Sequence, residues 1–308
     1  MWEVIEAYGW TPLSVHERGG VWEVNDGEES YALKETDTPK EKLYLLFQML
    51  EQVRTSGFPH LLPWIPTSTG EVVVSAYGKQ WYATPWQKPA DLHLSATELA
   101  SSLGRFHRLA EPIAAKYPKL HQVIDQEYKN TWQERESQIS GWQKALDTEK
   151  ITISEQSAQI SRQGFSFAIR GLDRFVKTEK GVAPRYTISH QRIHPSNVLA
   201  GEDGWYWIDF DHAELDTPVK DLAALIHRYP ETLPAEILAA YEEENPLLPK
   251  EKRLLSVFLS YPERLVRAVE RNAENVDLQQ ETAHIRACQH LVKQLWPKKK
   301  KQTKRRSR

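Results

Sequence analysis

Apolar and polar positions alternate along residues 21–34, VWEVNDGEESYALK, with a break at Asp26-Gly27. That pattern predicts two short strands joined by a turn and ending on Lys34. The period then changes: Leu43, Leu46, Phe47, Leu50 and Val53 fall at helical spacing, so a helix is expected to bury one face until Ser56-Gly57 and Pro59 stop it. Thr38, Pro39 and Glu41 read as its start, with an N-cap, a proline at the first helical position and a glutamate closing a capping box. After a proline-rich turn over residues 61–66, residues 71–76 and 80–84 predict a second hairpin around Tyr77-Gly78. Beyond Pro85 and Pro89 the texture becomes helical, over residues 92–109 and much of 127–175. A second strand-rich island comes only at residues 187–210, and further helical stretches follow to residue 296. The expected fold class is α+β. A small lobe over residues 1–86 holds an antiparallel sheet of five strands and one helix, a large, mainly helical lobe covers 87–296, and residues 297–308 form a basic tail.

The stretch from Ser189 to Leu225, SHQRIHPSNVLAGEDGWYWIDFDHAELDTPVKDLAAL, carries the candidate chemistry. It reads as loop, strand, tight turn, strand, loop and helix, with Asn197 ending the first loop and Asp209 emerging from the second strand. Such a hairpin brings an amide oxygen and a carboxylate together although they are twelve residues apart. Two hard oxygens on a rigid hairpin suit Mg²⁺, which keeps water and phosphate oxygens for its other positions. His190 and His194 lie in a predicted loop with no cysteine near in sequence, so they are expected to hold the loop rather than zinc. His107, on an apolar helical face with Leu103 and Phe106, is expected to be a satisfied interior histidine. Asp221, just inside the helix after Thr217-Pro218, should cap that helix or brace the loop at Arg192.

The order H-x-x-x-H-P-x-N, I-D-F-D and D-x-P-x-x-D-L-A resembles the catalytic and metal loops of aminoglycoside phosphotransferases, choline kinases and their relatives. More narrowly, the chain resembles the spore coat proteins of the CotS and YsxE kind, which share that fold. YALKE at residues 31–35, Gly57-Phe58, Pro85-Trp86 and LGRFHRLA at residues 103–110 fit the same pattern in the same order. The resemblance implies a two-lobed protein kinase-like fold. It also implies ATP and Mg²⁺ as ligands, Lys34 at the nucleotide phosphates, and Asn197 and Asp209 at the metal. A glutamate of the following helix, Glu41 or Glu51, is expected to pair with Lys34. One position departs from the family: where its catalytic aspartate stands, two residues after His190, this chain has Arg192, and Gln191 replaces the preceding glycine. A guanidinium cannot accept a proton from a substrate hydroxyl, although it can pair with phosphate. Only Gly19-Gly20 precede the second strand, so the phosphate-covering loop is meagre. The resulting expectation is a noncatalytic or vestigial kinase-like component of the bacterial spore coat, with other coat proteins as partners and no catalytic residue. An active ATP-dependent phosphotransferase on a small hydroxyl- or amine-bearing molecule is the alternative.

Composition narrows this picture at two points. Forty Lys and Arg against 42 Asp and Glu look balanced in a chain of 308 residues, but eight of the forty basic groups fall within residues 298–308. The remainder thus carries 32 basic against 42 acidic groups, a mildly acidic body joined to a basic segment that suits anionic partners. The single cysteine, Cys288, excludes an internal disulfide framework. Glu3 and Glu6 stand where a signal peptide needs positive charge, and no apolar run is long enough to span a bilayer, so cytoplasmic synthesis is expected before any assembly into a coat.

Overall fold

Alternation in the first part of the chain does produce an antiparallel sheet. In the computed structural model, which describes residues 1–146, 155–270 and 278–295, β1 (Ser14–Arg18), β2 (Val21–Asn25), β3 (Ser30–Thr36), β4 (Val74–Ala76) and β5 (Lys79–Pro85) pair in the order β1-β2-β3-β5-β4. The β2–β3 turn is held by Asp26, whose Oδ1 accepts the amides of Glu28 and Glu29 at 3.0 and 2.8 Å, while Gly27 takes a φ of +101°. Tyr77-Gly78, both left-handed, turn β4 into β5. Side chains alternate across the sheet, so Leu33 joins the buried cluster of Val24, Trp81 and Ala83 while its neighbour Lys34 faces the other way. A short helix, α1 (Trp2–Ala7), adds Val4 and Ile5 to that cluster; its six residues are too few to show a period in the sequence.

The predicted helix is α2 (Lys40–Thr55), and it buries Leu43, Leu46, Met49, Leu50 and Val53. Its start differs from the expectation. Pro39 is the N-cap and no side chain caps the helix. Thr38 instead donates its hydroxyl to the carbonyl of Asp211 at 3.2 Å, which ties the helix entrance to the loop after Asp209. The helix α3 (Ala96–Ala114) does carry a capping box, from Ser95 and Glu98. Two short sheets follow: β6 (Thr187–Ser189) pairs with β9 (Glu214–Asp216), and β7 (Val198–Gly201) pairs with β8 (Gly204–Trp207).

The chain divides into two compact units. The first comprises Met1–Gln122, Arg185–Leu225 and Ala240–Pro246, and holds the strands, α1, α2 and α3. The second comprises Val123–Pro184, Ile226–Ala239 and the chain from Leu247 onward. It is helical, built from α4 (Gln126–Leu146), α5 (Glu155–Glu179), α8 (Pro249–Ser260), α9 (Glu263–Glu270) and α10 (Leu278–Leu295). The helices α6 (Pro218–Arg228) and α7 (Pro234–Glu244) contribute residues to both units. In the second unit α5 lies against α8 so closely that a Cβ on Gly164 would stand 2.5 Å from the carbonyl oxygen of Ser260. Trp132 is buried there, stacked on Tyr261 with ring centroids 4.2 Å apart, and does not line an open cleft. The basic segment 297–308 lies outside the described residues. No helix among the described residues is long and apolar enough to cross a membrane.

Candidate functional site

One face of the β3–β5 ladder forms a wall of a cavity of about 480 Å³. Lys34 sits opposite Tyr82, and Ala32 opposite Thr84, and all four residues line the cavity. Gly19, Gly20 and Val21 line it from the β1–β2 turn, Glu51 and Arg54 from α2, and Asn197, Ile208 and Asp209 from the segment around the β7–β8 hairpin. Lys34, Asn197 and Asp209 thus all line this one cavity.

The loop before the hairpin is held from beneath. Asp221, buried in the first turn of α6, accepts the amides of His190 at 2.6 Å and Gln191 at 3.0 Å, and pairs with Nε2 of His107 at 3.3 Å. His107 is fully buried and completes its bonding on the Tyr241 hydroxyl at 2.9 Å. Burial pushes the Asp221 carboxyl up, but the hydrogen bond and charge of His107 outweigh it and hold the group below its ordinary value. His190 bonds the Ile208 carbonyl through Nε2 at 2.8 Å and accepts the Arg192 amide on Nδ1 at 3.3 Å, so the loop is stapled to the strand that delivers Asp209. His194 pairs with Ser196 within the loop. Gln191 takes a φ of +66°, in the left-handed region that a glycine enters without a Cβ penalty. A row of aromatic contacts runs beneath the site: Phe58 to Phe106 at 5.3 Å, Phe106 to Phe210 at 5.5 Å, and Phe210 to His190 at 4.5 Å. It joins four of the separate sequence motifs.

Charge is unusually arranged at the mouth of this loop. Lys34 pairs with Asp209, and also with Asp211 at 3.1 Å. Arg192 reaches the other Asp209 oxygen at 3.4 Å from a half-exposed position. Asp209 itself sits in the left-handed region at φ +68°. Burial raises the Asp209 carboxyl pKa, yet Lys34 and then Arg192 more than compensate and hold it below the ordinary carboxylate range. The expected glutamate partner of Lys34 is not found: Glu51 binds Arg54 through two hydrogen bonds of 2.8 and 2.6 Å, and the lysine is taken by the two aspartates. Asp211 was not singled out by sequence. It is buried, and it accepts the Tyr82 hydroxyl at 2.7 Å. The two-residue spacing of I-D-F-D is the signal that could have found it.

The oxygens present suit Mg²⁺ by type, since Asn197 spends its amide nitrogen on the Arg192 carbonyl at 2.8 Å and keeps the oxygen for a cation. The surrounding charges do not suit it. Both Asp209 oxygens are already paired with cations, and a guanidinium 3.4 Å from the carboxylate repels a divalent ion. Lys34 and Arg192 are balanced by Asp209 and Asp211, so an anion here would have to compete with two carboxylates. The arrangement cannot take a proton from a hydroxyl through Arg192.

A family model described as "Phosphotransferase enzyme family" matches residues 10–254. Among solved structures, an aminoglycoside phosphotransferase from Alicyclobacillus acidocaldarius is similar over 96% of this chain and 95% of its own, at 17% identity and a TM-score of 0.75. A spectinomycin phosphotransferase solved with ADP and spectinomycin covers 96% of each chain at 19% identity and a TM-score of 0.57. An amicoumacin kinase solved with AMP-PNP and Ca²⁺ covers 95% of this chain and 92% of its own at 12% identity and a TM-score of 0.58. No curated protein sequence matches the chain. At these identities the structures show a shared fold, while the family match takes in the sheet, Lys34, the loop at Arg192 and Asp209 together, and on that match the chain belongs to the phosphotransferase enzyme family.

Proposed function

We propose that this chain is a noncatalytic member of its family that works through its surfaces, and that its cleft retains a phosphate-binding corner rather than a phosphotransfer centre. Arg192 carries this reading, because it stands at the position of the family's catalytic carboxylate and pairs with Asp209 at 3.4 Å. A general base is typically worth about 10² to 10⁴ in rate, and its replacement by a permanent cation removes that factor while leaving anion binding intact. On the same reading, residues 1–86 and 87–296 act as the two lobes, Lys34 contacts nucleotide phosphates, and Asn197 and Asp209 are a vestigial metal pair. The motif order 31–35, 57–58, 85–86 and 103–110 supports a role among spore coat proteins of the CotS and YsxE kind, with other coat proteins as partners.

The test is a nucleotide titration with and without Mg²⁺, followed by ATP consumption across a panel of sugars, amino alcohols and aminoglycosides. Weak binding that does not require Mg²⁺, with no substrate-stimulated turnover, is expected. A turnover of about 1 per second or more, the lower end for working kinases, would overturn the reading. The alternative, an active ATP-dependent phosphotransferase on a small hydroxyl- or amine-bearing molecule, is favoured by the cavity lining that Lys34, Asn197 and Asp209 share. It needs another base, and Asp211 is already spent on Tyr82 and Lys34. The coat assignment is tested by fractionating purified spores of the native host: recovery with the coat layer supports it, and absence from that layer removes it.

A further inference from the structure

The second compact unit contains a group of metal-ligating side chains, two of them on α10 and the third, His227, two residues past the end of the motif stretch 189–225. His284 and Cys288 are four residues apart on α10, hence on one face of that helix, and His227 lies in the last turn of α6. All three are buried, and one ligand atom from each lies within 4.8 Å of the others. Nδ1 of His227 and Nε2 of His284 face each other at 3.1 Å, and Sγ of Cys288 is 3.5 Å from the same Nε2. With Zn–N near 2.0–2.1 Å and Zn–S near 2.3 Å, tetrahedral edges are about 3.3 Å for N···N and about 3.6 Å for N···S. The two separations to His284 are within a few tenths of an ångström of those edges, and the third, between His227 and Cys288, is within 4.8 Å.

The surroundings favour a cation here. Nε2 of His227 points at the carbonyl of Phe258, at 3.5 Å. A carbonyl only accepts, so a proton on that nitrogen would leave the lone pair on Nδ1, the atom in the cluster; such an outer partner is the usual device for orienting a metal-bound imidazole. Arg264, Arg267 and Arg228 all act on His227 by charge; Arg264 is neutralised by Glu281 through bonds of 2.8 and 3.0 Å from Nε, and Arg267 by Glu263. Without an ion, two imidazoles and a thiol are buried around one hydrogen bond of 3.1 Å and a thiol contact of 3.5 Å, and Nδ1 of His284 has no partner among the described residues, which is a poor return for their desolvation. Beside them is a void of about 10 Å³ lined by His227, Glu281 and His284, enough for about one water and too small for a substrate.

We propose that His227, His284 and Cys288 form a zinc site with water as fourth ligand, which pins the end of α6 to α10 in the second unit. On binding, the Cys288 thiol gives its proton to solvent as the S–Zn bond forms, and the two histidines bind as neutral imidazoles. The role is structural, since the void admits no substrate. It stands independently of the phosphotransfer reading.

The full chain without a histidine tag, stripped by chelator, should take up about one Zn²⁺ per chain and melt at a higher temperature, reversibly on chelation. Co²⁺ should give the intense visible bands of a tetrahedral site together with a thiolate-to-cobalt charge-transfer band. Cys288→Ala and His284→Gln should each weaken Co²⁺ binding at least about ten-fold and the first should abolish the charge-transfer band. Replacing His93, which is exposed in the other unit, should change neither. Because Cys288 is the single cysteine, wild-type protein gives a second reading even if those variants do not fold: Zn²⁺ should slow its alkylation in mild denaturant. Uptake without the charge-transfer band, equal affinity in Cys288→Ala, or alkylation indifferent to Zn²⁺ would each show that the three groups are only a hydrogen-bonded core cluster.

Discussion

Asp221 illustrates how one buried carboxylate fixes the geometry of the candidate site, since its two oxygens take the amides of His190 and Gln191 and a nitrogen of His107. Replacing it by alanine strands these donors in the interior, at about 1–3 kcal/mol for each unsatisfied group. Asp221→Ala should therefore lose about 3–5 kcal/mol in urea denaturation, and Asp221→Asn, which keeps one acceptor, should lose less. His190 gives a pH test at the same loop. Burial lowers its pKa, and a neutral ring is what its contacts demand, because Nδ1 accepts the Arg192 amide while Nε2 donates to Ile208. Protonation would turn that acceptor into a donor. The unfolded chain then binds the extra proton more readily than the folded one, so stability is full above the unfolded value of about 6.5 and falls as the pH drops below it. Other buried histidines add to the slope, so the readout is the difference: His190→Gln should show a shallower loss between about pH 7 and 5 than wild type. Arg192 was legible in the sequence because the motif spacing fixes its place. Its partner was not, since spacing says which residue occupies a loop and not which carboxylate its side chain reaches. The same limit explains Lys34, for which Glu41 and Glu51 were the expected partners and Asp209 and Asp211 are the actual ones.

At the scale of elements, Gly104 tests whether α3 and α7 are as close as they stand. A Cβ there would lie 2.7 Å from the Tyr241 carbonyl oxygen and 3.1 Å from the Glu244 Cβ, and the first of these is backbone that cannot swing aside. Helix propensity alone favours Gly104→Ala by about 1 kcal/mol. Overpacking against a fixed backbone costs about 1–3 kcal/mol, so a net loss of about 1 kcal/mol is expected in thermal or urea unfolding. A gain would mean that α3 has room the structure does not show. Helices and hairpins of this kind were readable because their burial is periodic: α2 buries Leu43, Leu46, Leu50 and Val53 at the predicted spacing, and two of the three hairpin turns of the large sheet fall at the predicted Asp26-Gly27 and Tyr77-Gly78. What escaped was set by contacts distant in sequence. Thr38 had every local attribute of a cap, yet its hydroxyl serves Asp211, 173 residues away. The short β9 strand exists because β6 pairs with it, and α1 because its two buried residues meet the sheet. The His227, His284 and Cys288 group was invisible for the same reason, its first member lying 57 residues from the second.

Over the whole molecule, charge is segregated along the chain in a way that separates two kinds of anion binding. Residues 298–308 hold eight basic groups, and the rest has 32 against 42 acidic ones. A polyanion feels the summed field, so an acidic body should repel it at long range and the basic segment should supply the attraction. Lys34, on the cavity lining, and Arg192 are both paired with Asp209, and on the reading proposed above they serve only a compact anion that competes with it. A chain ending at Pro297 should therefore lose retention on a heparin column at low salt while keeping any phosphate or nucleotide binding in the cavity. Double substitution of Lys34 and Arg192 should do the reverse, abolishing the binding of phosphate while heparin retention persists. Should the shortened chain still bind heparin at the same salt, the attraction must come from a basic patch on the body, and the division between a polyanion-binding segment and a phosphate-binding cavity would not hold.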